Sequence, residues 1–325
     1  MRVVRLLASI VLLAFALHGT PTLAQDFPTR LVKIVVPYPP GGGVDGLARP
    51  LAERLGRMWG QTVIVENKPG ASTMLGGAEV ARSQADGHTL LITSDSSITS
   101  NPHLYKTMSY DPIKELAPVT QLIELNQLVL VNPSVSANSM QELATFAKAN
   151  PNVLDYGSYG IGSQPHLLFE MLRKETGAQI MQVPYRGIAQ AITAVLAGDV
   201  KMTLGAISVS MGHIEAKKLK PLAISRSSRE PKLPNVPTLR EAGYPNIDPR
   251  SWFGMFAPAN TPPAVLEKIQ RDVAQVLSDP EFKARQIETP GHTAVGSTPA
   301  EFAKFIREDF EYKRNLIAVT GITAE

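Results

Sequence analysis

The chain has 325 residues, 44% of them apolar, with 32 Lys and Arg against 29 Asp and Glu and no cysteine. Without cysteine the fold can use no disulfide, no thiolate zinc site and no lipid-anchored cysteine. The basic residues are interspersed with nearly as many acids, so the net charge of +3 describes a solvated surface and leaves no footprint for nucleic acid.

The first residues read as a targeting segment. Arg2 and Arg5 precede an apolar run over residues 6–17, and Thr22-Leu23-Ala24 offers small residues at cleavage positions. The run is too short to span a bilayer comfortably, so an export signal over residues 1–24, cut after Ala24, is expected, with the rest of the chain a soluble, exported protein. Removing the two arginines takes the net charge from +3 to +1. Roughly 300 remaining residues exceed what one core holds, which predicts two lobes.

The first strand is Ile34-Val35-Val36, and Pro37-Tyr38-Pro39-Pro40-Gly41-Gly42-Gly43-Val44-Asp45 leads from it into an amphipathic helix. Glycines allow close backbone approach, and a helix start supplies unpaired N–H donors. The pairing suits an anion, most simply a carboxylate, and a tight turn without ligand is the other reading. Neither Gly-x-Gly-x-x-Gly nor a P-loop is present, so a nucleotide is not indicated. Asp45 is placed as the helix N-cap, and Pro50 early in the helix predicts local distortion.

A strand at residues 62–66, a turn at Asn67-Lys68-Pro69-Gly70, a helix over 76–83 and a strand over 89–93 follow. This alternation predicts a parallel sheet covered on both faces. Ser94-Asp95-Ser96-Ser97 comes directly after that strand, where ligands gather in open α/β sheets, although helix capping accounts for such a run equally well.

Residues 119–131 read as one strand that leaves the first lobe for the second. There a helix capped by Ser139 and a strand over 153–157 lead into Ser158-Tyr159-Gly160-Ile161-Gly162-Ser163, ahead of a helix from His166. A strand over 180–184 ends at Tyr185-Arg186-Gly187. Arg186 is the best candidate cation for an anionic ligand, or else it ties its own loop. Strands over 200–204 and 222–225, a second crossing strand over 251–258 and amphipathic helices over 263–277 and 299–317 complete the chain. The lobes are set at 25–125 with 253–325, and at 126–252.

No catalytic constellation assembles. His88, His103, His166, His213 and His292 form no metal-type pair, no Gly-x-Ser-x-Gly elbow occurs, and His166 near Ser163 fits capping or packing better than a general base. No metal or organic cofactor is expected. Each lobe instead offers glycine- and serine-rich loops after strands, the layout of a receptor closing over a small solute by hinge motion.

With these residues in view, the chain resembles the extracytoplasmic receptors of the tripartite tricarboxylate transporter family, the Bug receptors. The resemblance rests on an ordered set. It runs from Val36-Pro37-Tyr38-Pro39-Pro40-Gly41-Gly42-Gly43 with Asp45 through Val65-Glu66-Asn67-Lys68-Pro69-Gly70-Ala71 and Asp86-Gly87-His88-Thr89-Leu90. It continues through Val183-Pro184-Tyr185-Arg186-Gly187, Leu233-Pro234-Asn235-Val236-Pro237-Thr238 and Trp252-Phe253-Gly254 to Thr298-Pro299-Ala300-Glu301-Phe302.

What the resemblance implies is an α/β, two-lobed periplasmic binding protein fold, each lobe a mainly parallel sheet flanked by helices and joined by two crossing strands. It implies a monomeric, non-enzymatic receptor that hands a small carboxylate solute to membrane transporter subunits; a ligand sensor for a signalling system and an exported enzyme acting on small acids are the alternatives. It also implies binding roles for Tyr38, Gly42, Gly43, Asp45, Ala71, Ser72, Ser96, Ser158, Gly160, Ser163 and Arg186. Two positions depart from the family's pattern: Val44 stands where a small hydroxyl residue is usual, and Pro50 interrupts the first helix.

Overall fold

The computed structural model describes residues 27–226 and 228–323, so the signal segment at 1–24 lies outside the described residues. Strand β1 (Val32–Val36) is buried on both faces, as a β-branched run in a covered sheet must be. It pairs in parallel with β2 (Val63–Asn67) on one side and β3 (Thr89–Ser94) on the other. With β4 (Leu116–Glu124), β10 (Trp252–Pro258) and β11 (Thr293–Ala294) they form a six-stranded sheet in the order β11-β4-β10-β3-β1-β2.

Alternate side chains feed two cores. Ile34 and Val36 pack with Leu47, Leu51 and Leu55 of α1 (Gly43–Trp59) and with Ile269 and Val273 of α7 (Pro263–Ser278). Val35 points the other way, into the cluster of Met74 and Ala78 from α2 (Met74–Ala81) and Phe302 and Ile306 from α8 (Pro299–Thr320). Thr298 and Glu301 close a capping box at the start of α8.

The second sheet has the order β7-β6-β8-β5-β9, built from β5 (Gln127–Val131), β6 (Leu154–Ser158), β7 (Ile180–Pro184), β8 (Met202–Ala206) and β9 (Lys220–Ile224). One face carries α3 (Met140–Ala149), capped by Ser139 as expected, and α4 (Gln164–Thr176). The other carries α5 (Ile188–Ala197) and α6 (Ile207–Glu215). A smaller cluster joins the lobes, with Leu167 of α4 packed against Leu104 and against Leu316 and Ile317 of α8.

Three expectations need correction. Residues 119–131 are not one strand: β4 ends at Glu124 and β5 starts at Gln127 in the other sheet. The sheets are mixed rather than mainly parallel. β10 runs antiparallel to β3 and β4, and β5 runs antiparallel to β8 and β9. The reason is directional. Strands β1, β3 and β6 run toward the space between the lobes, whereas β5 and β10 enter from that space and run away from it. Asp45 is not the N-cap of α1, which is Gly42; Asp45 sits three residues into the helix.

Candidate functional site

The carboxyl ends of β1, β2 and β3 come together with β1 in the middle, a point from which connections leave to either side and where ligands gather in open α/β sheets. The loop after β1 is held by Asp45. Its Oδ2 accepts from the Gly41 N–H at 2.9 Å and from Arg49 Nε at 3.0 Å, and its Oδ1 from Asn67 Nδ2 at 2.8 Å. Burial pushes this carboxyl up, but the Arg49, Gly41 and Asn67 bonds prevail and hold it below its ordinary range. Asp45 is therefore buried and spent on organising the loop.

Gly41 needs its left-handed φ of 84°, while a Cβ at Gly42 would meet nothing closer than the Pro39 carbonyl at 3.7 Å. Packing does not require glycine at 42, and the first-turn N–H groups of Gly43 and Val44 have no intrahelical acceptor. The Val44 side chain is buried in the core, so this departure from the family pattern faces inward. Helix α1 runs on through Pro50, whose ring supplies no N–H to the Gly46 carbonyl.

Tyr38 reaches across to the end of β3, its hydroxyl 2.8 Å from Ser94 Oγ and 3.2 Å from Ser97 Oγ. Ser96 is half-buried in the same wide helical turn, residues 96–100. After β2 the backbone is strained: Ala71, Ser72 and Thr73 have φ of 46°, 50° and 78° in succession. Such conformations cost of order 1–3 kcal/mol each and persist where neighbours enforce them. Here Asn101 Nδ2 donates to the Ser72 carbonyl at 2.8 Å, and the Ser72 and Tyr105 hydroxyls meet at 2.6 Å. Both Ala71 and Ser72 are exposed.

In the second lobe β6 lies between β7 and β8, and the loop after it faces the first lobe. Gly160 and Gly162 adopt φ of 117° and 71°, and a Cβ on Gly162 would lie 2.3 Å from Leu104 Cδ1 of the first lobe. Ser163 Oγ donates to the Gly160 carbonyl at 2.6 Å, and His166 Nδ1 accepts from the Gly162 N–H at 3.1 Å, the capping role expected of it. Ser158 is fully buried and accepts from Gln182 Nε2 at 2.7 Å. These two hydroxyls hold the loop in shape. Arg186 stands exposed after β7; its backbone N–H donates to Gln190, and its guanidinium has no partner among the described residues.

Both loops converge on the turn after β3. Tyr38 binds it from the first lobe, while from the second Gln164, the opening residue of α4, donates to Asp95 Oδ1 at 3.3 Å. The remaining acceptor of Asp95 takes Lys313 Nζ of α8 at 3.2 Å, and all three side chains are buried. Nearby, Asp309 Oδ2 accepts from Thr99 at 2.6 Å and from Trp252 Nε1 at 3.0 Å. Sequence reasoning singled out none of Gln164, Asp309 and Lys313. A signal was present: Phe302, Ile306, Asp309, Lys313 and Leu316 all fall on the buried stripe of one helix, so two charged residues occupy core positions.

A separate cavity of about 460 Å³ lies where the chain crosses between lobes, lined by Glu124, Arg226, Arg240, Tyr244, Asp248 and Trp252 among others. None of the candidate ligand residues lines it.

The chain is similar to known proteins over most of its length. Residues 47–322 match the family described as tripartite tricarboxylate transporter family receptor. Protein BugT of Bordetella pertussis is 32% identical over 323 residues, covering 99% of each chain. Among solved structures, an R. palustris protein with adipate superposes with a TM-score of 0.82 at 32% identity, over 92% of this chain and 99% of that one. MatC from Rhodopseudomonas palustris with bound malate gives 0.78 at 27%, over 90% and 100%.

Proposed function

This chain belongs to the tripartite tricarboxylate transporter receptor family, and from that premise we propose that it captures a small carboxylate-bearing solute between its lobes in the periplasm and delivers it to membrane transporter subunits. The observation that carries this reading is the convergence of two donor-bearing loops, one from each lobe, on the turn at residues 94–97. Helix-start N–H groups near Gly42 and Gly43 would take the carboxylate, and the strained segment at Ala71 and Ser72 would close over it. From the second lobe the backbone at Gly160 and the free guanidinium of Arg186 would complete the grip. Tyr38 and Ser96 would form the wall between. Asp45, Ser158 and Ser163 would act by holding these loops rather than by touching the solute.

The relatives solved with adipate and malate make dicarboxylates the first probes. Isothermal titration with adipate, malate, citrate, acidic amino acids and aromatic carboxylates tests the reading. Micromolar or tighter binding of at least one acid is expected, with no turnover; a folded protein silent toward the whole panel, or one that converts an acid, overturns it.

A further inference from the structure

We propose that Gln164 is the positioning residue that couples the ligand loop of the second lobe to lobe closure. Its carboxamide joins three segments. Oε1 accepts from the Tyr159 hydroxyl at 2.8 Å, inside the glycine loop, and Nε2 donates to Asp95 Oδ1 at 3.3 Å and to Ser251 Oγ. An amide nitrogen has two hydrogens, so both are used. Asp95 belongs to the first lobe, immediately after β3, and Ser251 to the stretch that returns the chain to that lobe. The opposite side of this junction is also fixed, since Lys313 Nζ bonds Asp95 Oδ2, the Pro249 carbonyl and the Arg250 carbonyl.

A rotation that opens the crevice separates the end of β3 from the start of α4, and the bond from Gln164 to Asp95 is then lost. Asp95 and Gln164 are almost fully buried, so a partly separated arrangement leaves Asp95 Oδ1 without donor or water while Lys313 still holds Oδ2, which is costly. The junction thus has two satisfied arrangements, bonded or solvated. Tyr159 lies in the loop that is to hold the solute, so a ligand that orders this loop also aims the Gln164 carboxamide at Asp95. The inference rests on the proposed capture of a carboxylate, but the latch itself can be read without ligand.

Two measurements on full-length protein lacking its signal segment test it. Small-angle scattering of ligand-free wild type and Gln164→Leu should show a larger radius of gyration for the variant. With adipate as probe, stopped-flow kinetics should show release about tenfold faster with association within about twofold, the size expected from losing the two buried bonds that Nε2 donates across the junction, the third bond, from Tyr159, lying within the second lobe. A residue that merely supports the fold would lower the melting temperature without splitting the rates in this way. Should Gln164→Leu not fold, Tyr159→Phe removes only the bond to Oε1, and a threefold faster release is expected. Superimposable scattering curves, or unchanged release rates, overturn the latch. If wild type does not bind adipate, scattering alone decides the latch, and the binding failure counts only against the proposed solute.

Discussion

Asp45 and Asn67 meet at 2.8 Å although 22 residues separate them, and Asn67 Nδ2 also donates to the Tyr38 carbonyl at 3.1 Å. The last residue of β2 thus fixes both ends of the loop that follows β1. The glycine loop is shaped by its neighbouring strand, and Asp45, whose charge is answered by Arg49, presents little net charge to a ligand.

Asn67→Ala should therefore weaken carboxylate binding more than stability. Losing these two bonds, and the one that Asn67 Oδ1 accepts from Arg49 at 2.6 Å, costs about 1–2 kcal/mol in urea unfolding, while calorimetry should show a loss of affinity of at least about a hundredfold, near 2.8 kcal/mol. Equal losses in both measurements would mean that Asn67 supports the lobe and not the loop.

Gly42→Val tests backbone approach. Its φ of −76° suits any residue, and the nearest atom to a new Cβ is 3.7 Å away, so the melting temperature should stay within about 2 °C. Carboxylate binding should be abolished, because the side chain occupies the space in which the solute meets the helix start. Normal binding by a folded variant would place the cradle elsewhere.

Gly162→Ala should act at the lobe interface. A Cβ there has an unfavourable φ of 71° and would sit 2.3 Å from Leu104 Cδ1. A destabilisation of about 2 kcal/mol is expected, and Leu104→Ala should recover the steric part in the double variant. Gly160→Ala, with open space around its Cβ, should show the backbone cost alone. Strictly additive effects at 162 and 104 would contradict the contact.

The pH dependence of stability carries the signature of Asp95. Burial pushes its carboxyl up to about 6; Lys313 opposes this, and the charge of Asp309 adds to it. Gln164 and the Tyr159 hydroxyl also face it. Between its ordinary value of 3.8 and about 6, the folded protein keeps a proton that the unfolded chain has released. This group's contribution to stability is therefore full below about pH 4, declines as pH rises to about 6, and is flat above that. Urea midpoints measured against pH for wild type and Asp95→Asn should differ by this slope, and parallel curves would show that Asp95 titrates normally.

Much of the architecture was legible along the chain. Short apolar-rich runs ending in Pro, Gly and Ser located β1, β3, β6 and the loops after them, because a buried strand and a tight turn each leave a local compositional trace. Ser139 announced its helix through capping chemistry that spans only a few residues.

The sequence by itself thus determined two α/β lobes, the order of their elements and the segments able to present backbone donors, since each depends on neighbours within a few residues. Only the tertiary structure decided strand direction at the crossings, the spending of Asp45, Ser158 and Ser163 on loop geometry, and the junction of Gln164, Asp95 and Lys313. Asp95 and Lys313 are 218 positions apart. No local pattern says which buried carboxylate a buried ammonium will meet; that follows from which helix lies against which strand end after both sheets have formed.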